Sequence, residues 1–276
     1  MKKIIVPVDF SNDSINAFEH AIVFANKLGA KLRLIHVLKG GKFLPPDNIL
    51  GFDDKTKRDV DAYFNAFLNK YSDKITSGVD YIIRDGKVFK EITEQAGFDN
   101  SYMLIMGTHG VSGFEELWMG SNAFKVVNNS PCPVLTYRNG FLRKDVKRII
   151  LPVDITRETR QKVPKTTEIA AAFNAEIHIA AVCETERKKV IEKTEQYSDQ
   201  VRDFIEKKGL KVVQTSLFGS NITDMTIEYA ISVNAEMISI MSEQPKNAKN
   251  FLMGPYAQQM VNHSPIPVIT FNSNNY

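Results

Sequence analysis

The second half of this 276-residue chain repeats the first, which restricts the fold to architectures built from two similar units. Lys3-Ile4-Ile5-Val6-Pro7-Val8-Asp9 returns as Arg148-Ile149-Ile150-Leu151-Pro152-Val153-Asp154 at an offset of 145, and Ala30 to Val37 returns as Ala175 to Val182 at the same offset. Met103 to Tyr137 overlays Met237 to Phe271 without a gap at an offset of 134, retaining Gly254, Ala257, Asn262, Ser264, Pro265, Pro267, Val268 and Thr270. The drop in offset gives the first half about eleven extra residues, expected in the breaker-rich stretch from Lys39 to Asp54 with its Gly40-Gly41 and Pro45-Pro46 pairs. The polar connector around Asn139-Gly140 sets the expected boundary, giving domains 1–140 and 141–276.

Within each half, short apolar runs alternate with helical periodicity. Lys3 to Asp9 reads as a strand buried on both faces, and Ser11, Asn12 or Asp13 can cap a following helix marked by Ala17, Ala21, Ala25 and Leu28 and stopped by Gly29. Lys31 to Val37 is a second strand, Val60 to Tyr71 an amphipathic helix, Val79 to Arg84 a third strand, and Val88, Ile92 and Ala96 one face of a third helix. Met103-Leu104-Ile105-Met106 supplies a fourth strand, Ala123 to Val127 a fourth helix, and Pro131 to Tyr137 a last extended segment. The alternation predicts an α/β fold: two tandem open parallel sheets covered by helices.

Between the fourth strand and fourth helix lie Gly107-Thr108-His109-Gly110, then Val111 to Met119, then Gly120-Ser121. A glycine-spaced loop from a strand's carboxyl end to a helix start can bind phosphate, because glycine admits close backbone approach and the helix dipole favours an anion. From Gly107 through Phe124 there is no lysine or arginine, and Glu115 and Glu116 sit inside the loop. A phosphate there relies on backbone amides, Lys125, a lid lysine such as Lys42, or a metal.

Charge and cysteine content narrow the setting. With 35 basic against 32 acidic residues the balance argues against nucleic acid as a partner. No apolar run reaches the length of a membrane span, and the run after Met1-Lys2-Lys3 breaks at Asp9, too short for a secretory leader. Cys132 and Cys183 have neither paired spacing nor a histidine cluster beside them, so a reducing, cytoplasmic location is expected and no metal site.

On these residues both halves resemble universal stress protein domains. The sharpest element of the resemblance is the spacing Gly107, Gly110, Gly120-Ser121, which is similar to the signature of that family's ATP-binding members. The resemblance implies a Rossmann-like fold of the adenine nucleotide alpha hydrolase-like type and ATP or another adenine nucleotide as ligand, with or without Mg. It implies Pro7, Val8 and Asp9 beside the adenosine, Val37 at the adenine, and Met106, Gly107, His109, Gly110, Gly120, Ser121 and Asn122 around the ribose and phosphates. It also implies that the last strands, around Val134-Leu135-Thr136 and Val268-Ile269-Thr270, pair within the chain as an intramolecular pseudo-dimer, and leaves a homodimer open.

Each element has a plainer reading. Asp9 can cap the turn after its strand, His109 lacks a nucleophile or carboxylate partner for catalysis, Phe114 and Trp118 can anchor their loop, and Cys132 reads as a small buried hydrophobe. His36 and His178 read as ordinary sheet residues. Ser11-Asn12-Asp13-Ser14 contains no glycine, which argues against the phosphate loop of related pyrophosphatases. The expectation is therefore a nucleotide-binding stress regulator or scaffold without a catalytic set; the alternatives are a weak ATP-hydrolysing or phosphoryl-transferring enzyme and an interaction module without nucleotide. In the second half Gly107, Thr108, His109 and Gly110 become Met241, Ser242, Glu243 and Gln244, and Ser121 becomes Pro255, so one nucleotide per chain is expected.

Overall fold

The computed structural model describes residues 1–38, 40–43, 59–108, 119–138, 140–185, 187–242 and 254–273. The chain divides into two compact units, Met1–Leu142 and Arg143–Tyr276. In the first, β1 (Lys3–Pro7), β2 (Lys31–Leu38), β3 (Val79–Asp85), β4 (Met103–Gly107) and β5 (Val134–Tyr137) lie in the order β3-β2-β1-β4-β5. All neighbours are parallel, with Lys3 opposite Lys31, Leu32 opposite Val79, Ile4 opposite Met103 and Leu104 opposite Val134. The interleaved helices are α1 (Asn12–Leu28), α2 (Val60–Asn69), α3 (Val88–Phe98) and α4 (Ser121–Asn129).

The expected helix signals act as local chemistry requires. Ser11 caps α1, its hydroxyl accepting the Ser14 amide at 3.3 Å, and Gly29 ends the helix in the left-handed region at φ 61°. Ala17, Ala21, Ala25 and Leu28 all fall on the buried face, along with Phe18 and Phe24. β4 is buried throughout and β1 at Ile4, Ile5 and Val6, as apolar strands covered on both faces must be.

In the second unit β6 (Arg148–Val153), β7 (Glu176–Cys183), β8 (Val212–Phe218), β9 (Met237–Ser242) and β10 (Val268–Asn272) repeat the order as β8-β7-β6-β9-β10, again all parallel. Its helices are α5 (Val163–Phe173), α6 (Lys188–Glu206), α7 (Ile222–Ser232) and α8 (Pro255–His263). The longer segment of the first half falls between β2 and β3, where residues 39–78 stand against residues 184–211 between β7 and β8.

At the amino ends of the strands the two units use different polar chemistry. In the first, Arg33 grips Asp80 bidentately (Nε to Oδ1 2.7 Å, Nη2 to Oδ2 2.8 Å) and reaches Asp99 at 2.8 Å, which Lys3 also meets at 2.5 Å. Asp80 is held down to about 2 by its hydrogen bond from Arg33. At the matching positions of the second unit His178 lies between Tyr229 (Nδ1 to Oη 2.8 Å) and Glu176 (Nε2 to Oε1 2.7 Å). His178 is thus more specifically engaged than an ordinary sheet residue.

Candidate functional site

The strand order of the first unit reverses direction between β1 and β4: the chain runs outward through β2 and β3 on one side and through β5 on the other. In an open parallel sheet the crevice at the carboxyl ends of such a pair is where ligands bind. Pro7, Val8 and Asp9 leave β1 at that crevice, Met106 and Gly107 end β4 beside it, and Val37 lies near the end of β2. His109 and Gly110 lie outside the described residues, as do Phe114, Trp118 and residues 44–54 of the breaker-rich stretch.

Gly107 lies at a close approach of two backbones. A Cβ placed on it would stand 3.0 Å from the carbonyl carbon, Cβ and carbonyl oxygen of Asp13, so β4 and the first turn of α1 approach closely through their backbones. Thr108, buried, donates its amide to the Tyr137 carbonyl at 2.9 Å and accepts the Gly120 amide at 2.8 Å. That bond ties together the two ends of the loop. A Cβ on Gly120 would lie 3.2 Å from the same Thr108 oxygen. Gly120 is also the N-cap of α4 and offers no side chain to its amides, and Ser121 and Asn122 follow in the first turn, both exposed. Among the described residues no side-chain cap closes the start of α4, whose partial positive charge lies beside a strand-end crevice.

The loop after β1 is built by its own side chains. Asp9 Oδ1 accepts the Ser11 amide at 3.0 Å and the Ser11 hydroxyl at 2.6 Å, the turn-capping role of an aspartate. Phe10, next in sequence, is fully buried at φ 63°, a conformation disfavoured for a bulky residue. Its ring is held edge-on by Tyr63, Phe64 and Phe67 at centroid distances of 4.6, 4.9 and 5.4 Å. His36, buried beside it, makes a 2.7 Å bond from Nδ1 to the Val8 carbonyl, and burial lowers its pKa against the opposing effects of that bond and the Asp9 charge. His36 is therefore a neutral donor fixing the Val8 carbonyl, a role that strand periodicity does not signal; its place one residue before Val37 is the only hint. Lys125 stacks over Phe89 at 5.4 Å. Cys132 is buried, as its sequence context implies.

The second unit keeps the turn and alters the rest. Asp154 Oδ1 accepts the Thr156 amide at 2.7 Å and the Thr156 hydroxyl at 2.5 Å, reproducing the Asp9 turn. The helix that follows differs: counted at the repeat offset, α5 begins six residues later than α1, after a 3₁₀ turn at Glu158–Arg160. Buried Lys162 fastens that turn, its Nζ donating to the Thr159 carbonyl at 2.8 Å and hydroxyl at 3.0 Å. The strand end at the Gly107 position is Met241, which brings a side chain to the place where the first unit packs two backbones closely. α8 begins with Pro255 at its first position, which lacks an amide proton.

Among the described residues no group of three or more His, Cys, Asp and Glu could hold a metal ion, and no helix is long and apolar enough to cross a membrane. The model of the Universal stress protein family matches residues 1–138 and again 145–272. A universal stress protein of Methanocaldococcus jannaschii is 28% identical over 139 residues, 50% of this chain and 82% of that protein. One of Bacillus subtilis is 27% identical over 146 residues, 49% of this chain and 98% of the relative. The crystal structure of a universal stress protein from Archaeoglobus fulgidus shares the fold over 98% of both chains, with a TM-score of 0.77 and 18% identity. With one family matched twice across almost its entire length, this chain belongs to the universal stress protein family, as two family domains in tandem.

Proposed function

We propose that the first unit binds one adenine nucleotide, ATP, ADP or AMP, and that the protein acts through that occupancy as a cytoplasmic stress-response regulator or scaffold. The observation that carries the reading is the Gly120-to-Thr108 bond, which closes the loop at the switch point of the sheet and sets there a helix start whose N-cap glycine supplies no side-chain cap. Pro7, Val8, Asp9 and Val37 would flank the adenosine, and Met106, Gly107, His109, Gly110, Gly120, Ser121 and Asn122 the ribose and phosphates. The Asp9 turn holds this carboxylate at the end of β1, where a ribose hydroxyl would reach it. In the second unit Met241 and Pro255 argue for a retained fold without the ligand.

The last strands pair within the chain in this reading. Val134-Leu135-Thr136-Tyr137 and Val268-Ile269-Thr270-Phe271 each end their own unit's strand order, and an apolar edge left open invites aggregation.

Isothermal titration of the full chain with ATP, ADP and AMP tests the nucleotide reading. The expected stoichiometry is near one per chain, with binding lost in Gly110→Glu/Gly120→Pro at an unchanged far-UV spectrum. Two equivalent sites, no heat with any of the three, or undiminished binding by the double variant would overturn it.

A further inference from the structure

The outer edge of β8 carries a second surface, independent of the nucleotide reading. β8 ends the strand order of its unit and pairs with β7 over an unbroken register from Ile177 opposite Val212 to Cys183 opposite Phe218. The Lys211 carbonyl accepts the Ile177 amide and the Gly219 amide donates to the Cys183 carbonyl, so odd-numbered residues of β8 bond to β7. Val212, Gln214, Ser216 and Phe218 then direct their backbone amides and carbonyls away from the sheet. Edges of this kind are normally guarded by charge, proline or a bulge. The corresponding edge strand of the first unit, β3, carries Asp80, Arg84 and Asp85; Val212-Val213-Gln214-Thr215-Ser216-Leu217-Phe218 contains no charged residue and no proline.

We propose that β8 pairs antiparallel with β8 of a second copy of this chain, about a twofold axis through Thr215. That register is self-complementary. It sets Gln214 against Ser216 and Val212 against Phe218 as hydrogen-bonded pairs, with Thr215 facing Thr215 and Val213, 38% exposed, facing Leu217 between them. Flanking charge selects the antiparallel sense and a copy of the chain as occupant. Exposed Lys207, Lys208 and Lys211 lead into β8 and exposed Glu184 and Asp224 lie by its exit, so each basic entrance meets the partner's acidic exit.

The test is the mass of the full-length protein by sedimentation equilibrium at roughly 100 µM, above the micromolar Kd expected of a small interface. The wild type is expected at twice the chain mass. Ser216→Pro removes an amide that serves only the outer edge, and Thr215→Lys sets like charges face to face on the axis; both are expected at the single-chain mass with unchanged far-UV spectra. Thr215→Cys, whose partner Cα lies about 4.5 Å away in such a pair, is expected to form an intermolecular disulfide under mild oxidation, uncontested by the buried Cys132 and Cys183. A monomeric wild type, a dimer that survives both Ser216→Pro and Thr215→Lys, or a Thr215→Cys chain that fails to cross-link would overturn the proposal.

Discussion

Replacing Gly107 by alanine sets one methyl group 3.0 Å from three atoms of Asp13, two of them backbone. Backbone cannot swing aside as a side-chain tip can, so β4 or the first turn of α1 must move. The displaced turn is the one capped by Ser11, whose loss alone costs about 1 kcal/mol. Overpacking of this kind costs about 1–3 kcal/mol in all. For a unit of this size that is a fall of roughly 3–9 °C in the melting temperature of the first unit. Scanning calorimetry of Gly107→Ala beside Gly97→Ala measures it. Gly97 is the control because a Cβ there meets only Pro131 Cγ at 3.7 Å, an ordinary contact on a helix, so the control should be neutral or slightly stabilised. Nucleotide affinity should fall in Gly107→Ala as well, since the displaced backbone frames the crevice. If Gly107→Ala melts with Gly97→Ala, the close approach of α1 to β4 is not what demands glycine, and the explanation of the displaced α5 start fails with it.

Acid should act on the first unit through its ion network: Asp80 is held down to about 2 and Asp99 is lowered too, its burial outweighed by the hydrogen bonds from Lys3 and Gln95 and the Arg33 charge. At Asp80 the unfolded chain takes up its proton near pH 4 and the folded chain only near 2, so the stability this carboxylate contributes above pH 4 is lost between about 4 and 2, and Asp99 acts in the same direction; urea unfolding across that window should show a shallower slope in Asp80→Asn, and an identical slope would refute the role. His36, lowered by burial, adds a loss of stability as pH falls below about 6.5, where the unfolded imidazole protonates first. His36→Phe should lower stability at pH 7.5 by about 1–3 kcal/mol by stranding the Val8 carbonyl, yet flatten the slope between pH 7 and 5; a slope equal to wild type would count against a buried neutral His36. Residues 1–140 expressed alone should dimerise or precipitate, and a stable monomeric half would refute intrachain pairing of the last strands.

What the sequence discloses and what it hides follow from range. The Ala17, Ala21, Ala25 and Leu28 stripe, the Gly29 stop and the apolar runs of β1 and β4 are local patterns, and the repeat doubled the evidence for each. The glycine spacing also pointed to Gly107 and Gly120, but as ligand contacts. The Asp13 backbone beside Gly107 is remote in sequence and becomes its neighbour only once β1 and β4 lie side by side, and the Thr108 carbonyl meets Gly120 only once the loop between them has closed. Phe10 and His36 escaped for the same reason: a left-handed phenylalanine and a histidine bonded to the Val8 carbonyl are products of packing among β1, β2 and α2, with no periodic trace. The late start of α5 leaves no mark in the repeat, because the matching stretches lie on either side of it, at Arg148 to Asp154 and at Ala175 to Val182.

The twin turns at Asp9 and Asp154 bear on how duplicated domains diverge. In both halves the same carboxylate oxygen holds the amide and hydroxyl of the residue two places on. Folding alone is enough to preserve this aspartate, whatever becomes of a ligand beside it. The glycine ending β4 has no counterpart in the second half: Met241 stands at its position, and the helix packed there starts later. A turn closed within three residues persists on its own, whereas a glycine that serves a close approach is needed only while the helix opposite starts in the same place. In a sequence with this ancestry, then, a surviving strand-end aspartate testifies to the scaffold, and it is the glycine at the end of the fourth strand that should be consulted about what the scaffold can still hold.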